Sequence, residues 1–212
     1  MAIGSDDLRL TGERIGVFGG TFDPPHIGHA IVASDLVERL ALDRLLVIPA
    51  PRPPHREASL SADTRLALTR RMFDGVASIE VSDLEFERSG PSFAVDTLEE
   101  VARRFPEAEL TLVIGADQLA AIDTWREWRR LPGLAKVAVM RRDGMEPELP
   151  DAARGLAYIA VNVTRIDLSA SGIRDRLRRG ETIRFLVPES IRKDIERAWA
   201  AEARAQPAST EC

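Results

Sequence analysis

Apolar residues fall along the chain in short blocks separated by longer amphipathic stretches. The short blocks are Ile15-Gly16-Val17-Phe18, Leu45 to Ile48, Ile79 to Val81, Leu110 to Ile114, Val137 to Met140 and Tyr158 to Val161, each of strand length. Between them apolar positions recur at helical spacing. A helix is expected from Gly28, with Ile31, Leu36, Val37 and Leu40 at that spacing, and further helices over Asp63 to Phe73 and Ser92 to Phe105. In the last of these Val95, Leu98 and Val101 share a face. Ala116 to Arg130 reads as mostly helical, and Ser171 to Arg179 and Pro188 to Ala203 as two closing helices. Pro188 suits the first helical position. Pro49 to Pro54 cannot be helical, and Asp143 to Gly155 is a loop rich in proline, glycine and acid.

Strands alternating with helices predict an α/β fold whose mainly parallel sheet is covered by helices on both faces. Ligands bind such sheets at the carboxyl ends of the strands, which singles out the loops after Phe18, Ile48, Ile114 and Met140. One domain over residues 14–204 is expected, between a loose segment 1–13 and a frayed tail 205–212.

Composition narrows the chemistry. Of 212 residues 44% are hydrophobic, enough for a core without covalent staples. The net charge of −5 argues against a nucleic-acid binder. The single cysteine, Cys212, excludes a disulfide framework within the chain and argues against a thiol nucleophile. No stretch approaches the roughly 18 apolar residues that span a bilayer, and Met1 to Arg14, with Asp6, Asp7 and Glu13, does not read as a secretory signal. A cytoplasmic protein without a membrane partner is the expectation.

The loop after the first strand reads Gly19-Gly20-Thr21-Phe22-Asp23-Pro24-Pro25-His26-Ile27-Gly28-His29. Glycines let backbone approach a ligand closely. The helix that follows starts with unpaired N–H groups and partial positive charge, an anion site. His26 and His29, three residues apart, would be neighbours on one face of that helix. Alternatives stand beside this reading. His-x-x-His also suits a metal pair, although His55 is the only other histidine, or two solvated side chains. Trp125 and Trp128 could serve packing alone, Arg141 and Arg142 could be solvated, and Arg174, Arg176, Arg178 and Arg179 could be read as a nucleic-acid helix. No Gly-x4-Gly-Lys phosphate loop and no Gly-x-Ser-x-Gly elbow occurs.

The His26-Ile27-Gly28-His29 string resembles the His-x-Gly-His signature of the nucleotidyltransferase superfamily, and the Gly19 to Pro24 stretch is similar to that of bacterial nicotinate-nucleotide adenylyltransferases. The resemblance runs from about Arg14 to Glu196 and extends to Pro53-Pro54-His55-Arg56, Ser92 to Thr97, Gly115-Ala116-Asp117 with Trp125 and Trp128, and Leu168 to Arg174. It implies a Rossmann-like, doubly wound fold. It also implies adenylyl transfer from ATP to nicotinate mononucleotide, with Mg²⁺ carried mainly by ATP phosphates, no metal held by the protein itself, and a monomer or small homo-oligomer.

In that reading His26, His29 and Arg174 are catalytic. Gly19, Gly20, Thr21, Phe22, Arg56, Gly115, Asp117, Ser171 and Ile173 bind ATP, with Ser171 capping the helix that carries Arg174. Asp23, Ser92, Phe93, Ala94, Thr97, Trp125, Arg141 and Arg142 bind the mononucleotide, with Trp125 stacking on the pyridine. Two departures stand out. Phe93 replaces a usual tyrosine and Ala94 a usual hydroxyl residue, which removes possible hydrogen bonds near the pyridine. The alternatives are a related adenylyltransferase using nicotinamide mononucleotide or another phosphorylated acceptor, a class I aminoacyl-tRNA synthetase fragment, and a nucleotide-binding module without turnover.

Overall fold

The computed structural model describes residues 12–54, 57–141 and 148–205. Residues 1–11, 206–212, His55, Arg56, Arg142 and 143–147 of the loop expected at 143–155 lie outside the described residues. Six strands form one sheet: β1 (Arg14–Gly20), β2 (Arg44–Pro49), β3 (Ile79–Val81), β4 (Glu109–Gly115), β5 (Lys136–Arg141) and β6 (Ile159–Asn162). Their order is β3-β2-β1-β4-β5-β6, and every neighbouring pair is parallel. This is the doubly wound arrangement, and its strand order reverses between β1 and β4. A crevice opens there, at the carboxyl ends of the two central strands.

Strand side chains alternate between two cores because the pleat has a period of two. Ile15, Val17, Leu46, Ile48, Leu110, Leu112, Ile114, Val137 and Val139 face one cluster, while Phe18, Leu45, Val47, Val113, Ala138 and Val161 face the other. The first cluster is covered by α3 (Ala94–Arg104), α4 (Ala116–Ala120) and α5 (Leu131–Leu134). Val95, Leu98 and Val101 supply its helix face, as their spacing predicts. The second is covered by α1 (Ile27–Arg39) and the end of α2 (Ala62–Met72). In α1 the fully buried residues are Ala33 and Leu36, with Val32, Val37 and Leu40 beside them; Ile31 is only half-buried. A third cluster joins α2 to α6 (Ala170–Arg178) and α7 (Glu189–Ala205) through Leu68, Ile173, Ile191 and Ile195.

Three expectations are corrected. The stretch from Ala116 to Arg130, expected to be mostly helical, is α-helical only over its first five residues: α4 ends there, and two 3₁₀ turns, Ile122–Thr124 and Trp128–Arg130, follow. Leu119, Ile122, Trp125, Trp128 and Leu131 recur every third residue, the period of a 3₁₀ rather than an α turn. The Thr124 hydroxyl donates to the Ala121 carbonyl at 2.7 Å, and Glu127 is left-handed at φ 51°, which breaks the path again. Pro188 precedes the first helical residue, Glu189, rather than occupying that place. Tyr158 lies just outside β6. Among the described residues no helix is long and apolar enough to cross a membrane.

Candidate active site

The β1 strand delivers the chain into the crevice at Gly19. A Cβ built on Gly19 would meet no atom within 4 Å, so the protein itself does not fill that space. Phe22 follows in the left-handed region at φ 49°, a conformation that costs a non-glycine residue about 1 kcal/mol or more. Burial holds it there: its ring is 2% exposed, lies edge-on to Phe18 at 5.8 Å and leans on His29 at 4.8 Å.

His26 is the N-terminal cap residue of α1, with extended backbone at φ −149° and ψ 170°. Its ring stacks on His29 at 3.7 Å. A Cβ on Gly28 would stand 3.0 Å from two atoms of the His26 ring, so glycine there makes the stacking possible. The His26 N–H donates to His29 Nδ1 at 3.1 Å. An imidazole nitrogen that accepts carries no proton, so in the neutral ring the proton sits on Nε2. His29 therefore turns a donor away from the helix cap, at the positive end of α1.

Arg174 comes to the same place from α6. Its Nη1 donates to the Asp23 carbonyl at 2.6 Å and lies 3.6 Å from the Asp23 carboxylate. Its Nε–H is buried and has no hydrogen-bond partner among the described residues. An orphaned cationic donor, held on Asp23 three positions before His26, suits an anion. Asp23 is committed elsewhere: its carboxylate accepts from the Ser59 and Leu60 N–H groups at 2.7 and 2.9 Å. The cap of α6 is Ser169, whose hydroxyl accepts from the Gly172 N–H at 3.1 Å, and not Ser171. Ser169 has the extended backbone a cap requires, whereas Ser171 is already inside the helix, its Oγ 3.0 Å from that of Ser169. Ile173 is wholly buried in the third cluster, which leaves only its backbone for a ligand.

On the other side of the Gly19–Thr21 loop lies a cavity of about 210 Å³. Gly19, Gly20, Thr21, Ser92, Phe93, Ala94, Thr97 and Trp125 line it, which brings together most of the expected mononucleotide residues. Phe93 caps α3 without a side-chain hydrogen bond, so the first N–H groups of that helix are open next to the cavity. Gly115 and Asp117 sit at the end of β4 and the start of α4, and Arg141 at the end of β5, where its Nε donates to Asn162 at 2.7 Å. These three residues lie at or just after the expected strand ends but outside the cavity wall. Arg56 and Arg142 lie outside the described residues.

Four lining or bracing residues escaped the sequence reading. Arg126 lies over the Phe93 ring at 5.1 Å. Gln118 accepts from the Gly115 N–H at 2.8 Å. Glu85 is a buried carboxyl in the cavity wall, bonded by the Thr97 hydroxyl at 2.5 Å. Burial pushes its pKa up, against the Thr97 and Ser92 hydroxyls and Arg88, which pull it down. Nothing in the run Asp83 to Glu87 distinguishes it from its acidic neighbours. Arg65, the fourth, did leave a signal: it shares the α2 stripe of Leu68, Thr69 and Met72, where a charge is out of place.

The model of the Cytidylyltransferase-like family matches residues 17–176. A protein of Gemmatimonas aurantiaca named "Probable nicotinate-nucleotide adenylyltransferase" is 42% identical over 184 residues, covering 84% of this chain and 87% of its own. One of the same name from Thermus thermophilus is 39% identical and covers 87% and 97%. Among solved structures, the Plasmodium falciparum nicotinic acid mononucleotide adenylyltransferase complexed with NaAD superposes with a TM-score of 0.73 over 90% of this chain and 98% of its own, at 17% identity. That last likeness concerns the fold. By sequence and by architecture, the chain belongs to the cytidylyltransferase-like family, on the branch of the nicotinate-nucleotide adenylyltransferases.

Proposed function

We propose that the chain transfers the adenylyl group of ATP to nicotinate mononucleotide, giving nicotinate adenine dinucleotide and pyrophosphate, a step of NAD biosynthesis. The observation that carries this reading is one glycine loop with two different neighbours. On one side stand the stacked imidazoles and Arg174, suited to phosphates; on the other is a cavity of ring size walled by Phe93 and Trp125.

In the proposed reaction the 5′-phosphate of the mononucleotide attacks the α-phosphorus of ATP. The bond from that phosphorus to the bridging oxygen breaks, and pyrophosphate leaves with its electron pair. No protein nucleophile is needed, so the residues act by placing and stabilising charge. His29 Nε2–H is assigned to the α-phosphate, where negative charge builds up. His26, the Arg174 guanidinium and the start of α6 are assigned to the departing phosphates. Asp117 is assigned to the adenosine ribose and Arg141 to the phosphate of the mononucleotide. Trp125 is assigned a pyridine-stacking face, and the open N–H groups of α3 the nicotinate carboxylate.

Mg²⁺ fits this donor set through ATP, since the phosphate end presents imidazoles and a guanidinium while the Asp23 carboxylate is occupied by two amides. When bound it would neutralise phosphate charge. The proposed location is the cytoplasm.

A second reading is favoured by one observation. Phe93 and Ala94 offer no side-chain donor to a carboxylate, so an amide-bearing pyridine is the competing acceptor. Pyrophosphate release with ATP, Mg²⁺ and either the acid or the amide mononucleotide decides between them. Faster turnover of the acid is expected. Preference for the amide would replace the acceptor, and no release with either would end the reading.

A further inference from the structure

Arg65 lies in the middle of the apolar stripe of α2 and is 1% exposed. Burial lowers its pKa, and the field of Asp23 raises it. A buried cation is unfavourable unless its donors are matched, and here they are matched by carbonyls alone. Nη1 donates to Thr21 at 2.6 Å and to Ala50 at 2.7 Å, Nη2 to Pro51 at 3.0 Å, and Nε to Leu60 at 3.2 Å. Thr21 belongs to the connection between β1 and α1, while Ala50, Pro51 and Leu60 stand at the two ends of the connection between β2 and α2. Thr21 and Ala50 are in the cavity wall. Leu60 leads on to the phosphate end: its N–H, with that of Ser59, holds the Asp23 carboxylate, and the Asp23 carbonyl receives Arg174.

The planar fork of one guanidinium thus connects the wall of the ring-sized cavity to the cation at the phosphate end. A lysine at the same place would present one nitrogen and could not reach carbonyls spread over that fan. We propose that Arg65 is a positioning residue for the reaction, fixing the separation between the acceptor cavity and Arg174 so that the attacking phosphate lies in line with the α-phosphorus. This rests on the adenylyl-transfer reading for its kinetic consequence, but the loop-fixing role is separately measurable.

The test compares Arg65→Lys with Ile195→Ala, a change in the α2–α7 cluster away from the cavity that lowers stability alone. Thermal midpoints, kcat and both KM values are measured well below the melting transition, and backbone hydrogen exchange is followed in parallel. Arg65→Lys is expected to lower kcat by about 100-fold, the effect of a misplacement near 1 Å, with smaller changes in KM. Ile195→Ala should leave kcat near wild type. Exchange in Arg65→Lys should quicken in segments 19–23, 50–54 and 59–60 while the β1 and β4 amides stay protected. If Arg65→Lys fails to fold, Arg65→Gln carries the same comparison. A near-normal kcat, or a loss no larger than in the control at equal thermal midpoint, overturns the proposal. Should the wild type release no pyrophosphate at all, the reaction reading fails and exchange alone decides: uniform or absent loosening overturns the role of Arg65.

Discussion

His29 owes its proposed chemistry to one hydrogen bond. Because Nδ1 accepts the His26 N–H, Nε2 is the donor, and an alanine at 29 removes that donor while leaving the apolar cores intact. His29→Ala should lower kcat about 100-fold, the usual cost of one transition-state donor, with little change in thermal midpoint; a pyrophosphate assay beside a melt checks both. Glu85 makes a different residue-scale prediction. Its folded pKa lies above the ordinary 4.5, chiefly through burial. Below that pH both folded and unfolded chains hold the proton. As pH rises, the unfolded chain ionises first, so the favourable contribution of the protonated carboxyl is lost towards neutral pH. Glu85→Gln keeps an acceptor for Thr97 and does not titrate. Its thermal midpoint relative to wild type should therefore climb from pH 4.5 upward; a difference that stays flat with pH contradicts the shift.

Among the elements, α6 separates two serines that look alike in sequence. Ser169 caps the helix, and Ser171 is inside it. Ser169→Ala should cost about 1 kcal/mol in urea unfolding, and it should raise KM for ATP because Arg174 rides on that helix. Ser171→Ala should leave stability unchanged, so equal losses in the two variants would refute the capping assignment. The stretch after β4 teaches a related lesson. Its apolar residues were visible in the sequence, but their three-residue repeat, together with Thr124 and the left-handed Glu127, turns it into short 3₁₀ segments. That path carries Trp125 to the cavity wall, where a continuous helix would follow a different course.

At the scale of the molecule, the sheet keeps the two cores apart and the site sits on its carboxyl edge. Leu98 is wholly buried in the cluster beneath the cavity. Leu98→Ala should cost about 2–5 kcal/mol by urea unfolding; a loss under 1 kcal/mol would mean that α3 is not anchored as described. The six strands, a mainly parallel sheet covered on both faces and the glycine-rich turn after β1 were legible in the chain, because period-two and period-3.6 patterns and glycine-rich turns are local physics. So were the pairing of His26 with His29 and, in the cavity wall, Gly19 to Thr21, Ser92 to Ala94, Thr97 and Trp125, since they lie in short motifs. What stayed hidden depends on distant partners. Asp23, expected at the mononucleotide, has its carboxylate on the Ser59 and Leu60 N–H groups, 36 and 37 positions away. Arg65 joins Thr21, 44 positions away, to Ala50 and Leu60. A hydrogen bond across such gaps is decided by how helices pack on the sheet, so tertiary structure alone determined which polar side chains line the cavity and which hold the walls around it.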